Sequence, residues 1–246
     1  MATLIADYPL SSTFAGITQL QCIGETVTGD SHPDGYPGRL EIIDGVMKST
    51  IVDTDAATQT GIRSEVIAPI STRAEYWYLV DFMVPGTWNI AVNTMSLIKI
   101  HDSPDGGDNP RWPNFRVEVK QGKLTTSVPN TTLPGEVVSG RQMSVMDLEF
   151  NRWYRACLHV NWQIDTTGFR EFFIDGVPQF REFGVPTHYD DVVGPYLKVG
   201  TYDGTHNGGF GTLTTYYRNI KVYSGSASYP EMLGSVLIPP RRLVGV

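Results

Sequence analysis

Apolar and polar residues alternate with period two over many short stretches of this chain, and alternate side chains of a strand share a face. In Tyr196-Leu197-Lys198-Val199-Gly200-Thr201-Tyr202, the side chains of Leu197, Val199 and Thr201 point one way, and Tyr196, Lys198, Gly200 and Tyr202 the other. Ile62-Arg63-Ser64-Glu65-Val66 puts Arg63 and Glu65 on one face. Leu97-Ile98-Lys99-Ile100-His101 sets Lys99 and His101 opposite Ile98 and Ile100. These three polar faces are expected to line one groove.

The same period predicts further strands. Residues 39–43 and 46–50 flank Asp44-Gly45, and residues 170–174 and 177–180 flank Asp175-Gly176, so both pairs read as hairpins. Residues 115–120 alternate cleanly and turn at Gln121-Gly122. Residues 75–84 are apolar on both faces, which suits a central strand between two layers. Residues 153–162 and 213–223 complete the strong strands. Pro69 is expected to end the strand of Arg63, and residues 125–145 to be a long loop or short edge strands. No convincing helix and no repeat is found. The expectation is an all-β fold, a jelly-roll sandwich of two curved antiparallel sheets, with one face of one sheet open as a groove. Residues 1–225 form the domain. Residues 226–246, with Pro239, Pro240, Arg241 and Arg242, form a tail without a packed element that could reach a neighbour, in a virion or a homo-oligomer.

Composition narrows the function. The 246 residues can bury one sizeable core, and 25 glycines with 16 prolines spread along the chain fit many short strands. A net charge of −7 argues against nucleic acid as partner. Cys22 and Cys157 form no C-x-x-C pair, and sequence leaves their redox state open. The N-terminus shows no secretory signal, and no run of about 18 apolar residues suggests a membrane span. A soluble protein is expected. Its location would be a virion, the cytoplasm, or the outside reached by a non-classical route.

The groove residues suggest acid–base chemistry. A phenol serves as general acid or base where neighbouring cations favour its ionised form. Lys198 shares the face of Tyr202, and Arg63, Lys99 and His101 approach from neighbouring strands. Such a cluster suits β-elimination from a uronic acid. Cations neutralise the carboxylate, a histidine or tyrosine takes the C5 proton, and Tyr202 returns one to the leaving oxygen. No metal and no cofactor is needed. The bland reading is a solvated sheet face. Arg63 and Glu65 also read as a structural ion pair, and His101 beside Asp102 as a loop-end hydrogen bond. His159 reads first as a satisfied strand histidine. It is carried with Glu65, Tyr196, Arg116 and Trp112 as a candidate substrate contact. Asp102, Asp105 and Asp108 hint at a calcium loop but lack the EF-hand pattern. Trp88 and Trp112 read either as sugar platforms or as loop anchors.

These segments resemble the jelly-roll polysaccharide lyases, the group of alginate lyases, glucuronan lyases and heparin lyase I with a concanavalin A-like fold. Arg63-Ser64-Glu65-Val66 is similar to their R-[ST]-E-[LV], Lys99-Ile100-His101 to Q-[IV]-H, and residues 196–202 to Y-F-K-A-G-x-Y. The resemblance covers roughly residues 35–225. It implies that Arg63 and Lys99 neutralise a uronate carboxylate, that His101 and Tyr202 are base and acid, and that Lys198 supports Tyr202. Lys99 replaces the family's glutamine, Ile67 and Ala68 stand where an arginine is common, and Asp203-Gly204 replaces Asn-Gln. Two function classes follow: a lyase acting on an acidic polysaccharide, or a non-catalytic glycan-binding or structural component of a phage particle.

Overall fold

The two predicted sheets are present, and among the described residues each has eight strands and every pairing is antiparallel. The computed structural model describes residues 1–8, 13–88, 94–108, 111–132, 139–205 and 209–233. The back sheet holds β1 (Thr3–Tyr8), β4 (Leu40–Ile43), β5 (Val46–Val52), β7 (Glu75–Met83), β12 (Trp153–Asn161), β13 (Phe169–Ile174), β14 (Val177–Phe183) and β16 (Thr212–Ser224). Its order is β14-β13-β12-β7-β16-β5-β4, with β1 also paired to β16. The groove sheet holds β2 (Gln19–Cys22), β3 (Glu25–Val27), β6 (Ile62–Ile70), β8 (Thr94–Ser103), β9 (Phe115–Lys120), β10 (Lys123–Pro129), β11 (Gly140–Asp147) and β15 (Val193–Asp203). Its order is β11-β10-β9-β8-β15-β6-β2-β3.

Alternation explains both faces. Tyr76, Tyr78, Val80 and Phe82 of β7 and Tyr154, Ala156, Leu158 and Val160 of β12 join the core between the sheets. Their alternates Trp77, Leu79 and Cys157 form a second apolar patch on the outer face of the back sheet. Both cysteines are buried free thiols. The two Asp-Gly hairpins and the Gln121-Gly122 turn form as expected. Both central residues of each have positive φ, the geometry that two-residue hairpins require.

Two sequence expectations are corrected and one left open is decided. The strand of Arg63 does not stop at Pro69 but runs to Ile70, because the β6–β15 register shifts between Tyr196 and Lys198. A proline is tolerated at such a bulge, where the ladder needs no donor. Of the two readings of 125–145 the strand one holds, as β10 and the edge strand β11. The segment after β16 packs as a short helix, α1 (Tyr229–Leu233), against the outer patch of the back sheet. The rest of the expected tail, residues 234–246, lies outside the described residues.

Candidate active site

Strand order assembles the site. β8, β15 and β6 are consecutive in the groove sheet. Their ladders set Tyr196 against His101, Lys198 against Lys99, Gly200 against Glu65 and Tyr202 against Arg63. The alternates Leu197, Val199, Ile98, Ile100, Ile62 and Val66 lie in the core, so the polar set faces the groove.

Glu65 is the hub of the cluster. Its carboxylate is 1% exposed and lies 2.8 Å from Lys99, 3.2 Å from Lys198 and 3.6 Å from Arg63. Burial alone would raise this carboxyl, but Lys198, Lys99 and Arg63 together hold it down at about 2. Neither oxygen has an aligned hydrogen-bond partner, so the attraction is coulombic and is strengthened by the low local dielectric. Burial lowers the pKa of both Lys99 and Lys198, and Glu65 opposes that shift in each. Gln21 of β2 completes the ring, its oxygen accepting from Lys198 Nζ and, at 3.1 Å, from Arg63. Arg63, Lys99 and Lys198 are themselves buried around the Glu65 carboxylate.

Tyr202 sits on this cluster. Lys99 Nζ is 3.5 Å and the Arg63 guanidinium carbon 4.3 Å from its ring centroid. Its hydroxyl shares a 3.2 Å hydrogen bond with Thr60. His101 lies further along β8, where its ring centroid is 6.1 Å from that of Tyr196. His101 Nδ1 donates to the backbone carbonyl of Asp102, which fixes the tautomer and leaves Nε2 unprotonated. Burial pushes the imidazole down to about 4; the Asp102 carbonyl opposes this, while Lys99 and Lys198 add to it. His101 is therefore neutral at neutral pH. The Tyr196 hydroxyl donates to the same Asp102 carbonyl at 3.4 Å. The Asp102 side chain points away into a buried bond from Asn114 at 3.0 Å.

From Tyr202 a cleft of about 460 Å³ opens across β8, β9, β10 and β11. Arg116 and Glu118 of β9 form an ion pair in it, and Ser127 donates to Glu118 at 3.0 Å. The Arg116 guanidinium stacks 4.1 Å from the Trp112 ring centroid. A side chain at Gly140 would come within 2.2 Å of the same ring, so β11 also abuts the indole. Trp112 is thus a wall of the cleft.

The structure brings Arg63, Glu65, Lys99, His101, Tyr196, Lys198 and Tyr202 together, with Arg116 and Trp112 in the adjoining cleft. His159 is elsewhere. It lies on the outer face of the back sheet, stacked 3.7 Å on Trp77 and bonded to Glu75 at 2.7 Å and Glu171 at 3.0 Å. An odd number of strand positions separates it from the core-facing residues of β12, which turns it away from the groove sheet. Trp88 is a packed anchor whose indole donates to the Thr214 carbonyl at 2.6 Å. The acidic loop gathers Asp105, Asp108 and Asp191, without Asp102. Arg111 fills that cluster, at 2.7 Å from both Asp108 and Asp191. Gln21, Thr60 and Glu118 were not anticipated. A signal for Glu118 existed, since Arg116-x-Glu118 repeats the spacing of Arg63-x-Glu65.

A jelly-roll sandwich with basic residues, a histidine and two tyrosines gathered on the outer face of one sheet is thus the class of molecule in hand. Residues 42–221 match the family described as polysaccharide lyase, and the chain belongs to that family. Among solved structures it is similar to the endo-β-1,4-glucuronan lyase of the fungus Trichoderma reesei, at 18% identity and a TM-score of 0.70 over 91% of this chain and 96% of that one. It is similar to the family 7 alginate lyase A1-II′, at 16% identity and a TM-score of 0.64 over 90% and 100%. An alginate lyase from Pseudomonas aeruginosa aligns at 13% identity and a TM-score of 0.62 over 88% and 99%. At these identities the likeness establishes the fold. No curated protein matches by sequence. The virion expectation gains no support from these comparisons. Among the described residues, no helix is long and apolar enough to cross a membrane.

Proposed function

We propose that this chain cleaves a uronate-containing polysaccharide by β-elimination. The observation that carries the reading is the cluster of Arg63, Lys99 and Lys198 around Glu65, beside a neutral histidine and a tyrosine on the same groove face. Family membership and the glucuronan and alginate lyases of like fold support it. One neighbour is an alginate lyase bound to substrate with one histidine-to-asparagine and one tyrosine-to-phenylalanine substitution, which fits a His/Tyr pair.

In the proposed reaction the cations hold the uronate carboxylate and stabilise the charge that spreads onto it as C5 loses its proton. His101 Nε2 takes that proton. The electron pair forms the C4–C5 double bond, the C4–O4 bond breaks, and a tyrosine hydroxyl protonates O4. Tyr202, on the cation cluster, is the first choice for the acid. Tyr196 is the second, because the β8–β15 ladder sets it, and not Tyr202, directly opposite His101. No step requires a metal.

The test follows the ultraviolet absorbance of the unsaturated product on a panel of uronate polymers. His101→Ala and Tyr202→Phe should each lower kcat at least about 100-fold, the range for loss of a general acid or base. A Tyr196→Phe variant that loses activity while Tyr202→Phe keeps it would move the acid to Tyr196. Unchanged activity in His101→Ala would sink the assignment of the base.

A further inference from the structure

The groove has two chemically different halves. Around Glu65, three cations face one anion. In the cleft beyond Tyr202, Arg116 and Glu118 cancel one another. The rest of the lining there is hydroxyls and amides: Thr94 and Ser96 of β8, Thr125 and Ser127 of β10, Gln142 of β11 and Thr205. Lys120 stands exposed at the mouth, where solvent screens its charge.

Three buried polar atoms of residues lining the cleft, Glu118 Oε1, Arg116 Nε and Trp112 Nε1, have no aligned partner. Glu118, 4% exposed, touches Arg116 with Oε1 but makes no hydrogen bond with that atom. Arg116 Nε is a buried donor in the same condition. These atoms are closed to solvent, so what the pair offers a ligand is its cancelled charge among the hydroxyls of the lining. A sugar hydroxyl both donates to and accepts from such hydroxyls and amides. A carboxylate only accepts, finds no unpaired cation within the cleft among the described residues, and its charge opposes that of Glu118. The volume, about 460 Å³, accommodates a sugar unit beside the reacting one.

We propose that the cleft beyond Tyr202 binds a neutral, hydroxyl-bearing sugar next to the uronate held by the cation cluster. The substrate is then a polysaccharide that alternates uronate with an uncharged sugar, not a homopolyuronate. The uronate half of this statement rests on the proposed lyase reading. The neutral half rests on Glu118, Arg116 and the hydroxyl lining.

The test is calorimetric binding of tetrasaccharides, read apart from turnover. Unsulfated chondroitin and hyaluronan tetrasaccharides represent the alternating class. Glucuronan and alginate tetrasaccharides represent the homopolymers. The alternating class should bind at least about tenfold more tightly. Glu118→Gln should narrow that ratio by about fivefold or more, by admitting a carboxylate. Gln142→Glu, on an exposed strand position that does not threaten folding, should widen it. Tighter binding of the homopolymers, no binding of either alternating oligosaccharide, or a ratio that neither variant moves would overturn the proposal. Preferential binding without any absorbance rise on the matching polymer would overturn the lyase reading and leave the cleft's assignment standing.

Discussion

Asp102 shows how one residue serves the site through two separate groups. Its carbonyl collects His101 and Tyr196, while its side chain is buried beside Asn114. Burial raises that carboxyl to about 7; Asn114 opposes the shift and Asp191 adds to it. The folded protein therefore keeps a proton that the unfolded chain gives up, so stability falls as pH rises toward 7 and levels off above it. His101 works in the opposite sense. Its imidazole is held near 4, so the unfolded chain takes up a proton that the folded one refuses, and stability falls as pH drops through that window. Asp102→Asn removes only the first effect and leaves the backbone carbonyl in place. Between about pH 6 and pH 8 the wild type should lose about 1 kcal/mol of unfolding free energy from this residue, and the variant should not. Urea denaturation at both pH values measures it. Equal losses in both proteins would show that Asp102 ionises normally. The hydrogen bond between His101 and Asp102 was legible in the sequence from their adjacency, but the raised carboxyl was not, because what distinguishes Asp102 from Asp105 and Asp108 is burial, which depends on the loop's path.

At the scale of elements, β15 controls the groove through a position without a side chain. Gly200 has φ +148, and a Cβ there would lie 2.0 Å from the Ser64 carbonyl oxygen and 2.6 Å from Glu65 Cα. The obstacle is backbone of β6, which carries Arg63 and Glu65, so it cannot swing aside as a flexible side chain would. Behind it, Ser49 of the back sheet donates to the Ser64 carbonyl at 2.6 Å and accepts from the Thr201 amide at 2.9 Å, tying the strands from the core side. Gly200→Ala should therefore cost more than about 2 kcal/mol and disturb the Glu65 cluster. Gly106→Ala, where nothing lies within 4 Å and φ is not positive, is the control and should be near neutral. Equal melting temperatures for the two variants would refute the argument. The pairing of polar faces was legible because period two needs only local sequence, and β8, β15 and β6 each run long enough to show it. Gln21 escaped notice because β2 spans only four residues. Bulges such as the one that carries β6 past Pro69 leave no periodic mark, and neither does the strand order that makes three separate segments neighbours.

The whole molecule separates stability from chemistry by placing them on opposite surfaces. The groove lies on the outer face of one sheet, and the patch of Trp77, Leu79, Cys157 and Phe173 on the outer face of the other. Uncovered, that patch would expose a contiguous apolar surface on the sandwich. Helix α1 covers it, with Tyr229 4.6 Å from Phe173 between ring centroids and Met232 packed alongside. Five residues are too few to hold a helix by themselves. What fixes α1 is docking, together with a capping box in which Glu231 accepts from both the Ser228 amide, at 2.6 Å, and its hydroxyl, at 2.7 Å. Ser228-x-x-Glu231 was the available signal in the sequence, but without the back-sheet patch it had nothing to cap. Tyr229→Ala should lower stability by about 1–2 kcal/mol, from lost apolar burial and one aromatic contact. In the proposed lyase reaction kcat and KM should stay at the wild-type values, since the core lies between this helix and the groove. Denaturant melts and steady-state kinetics on the same preparation decide the matter. A fall in kcat without a fall in stability would mean that the two faces communicate through the sandwich, and unchanged stability would mean that α1 does not hold the patch closed.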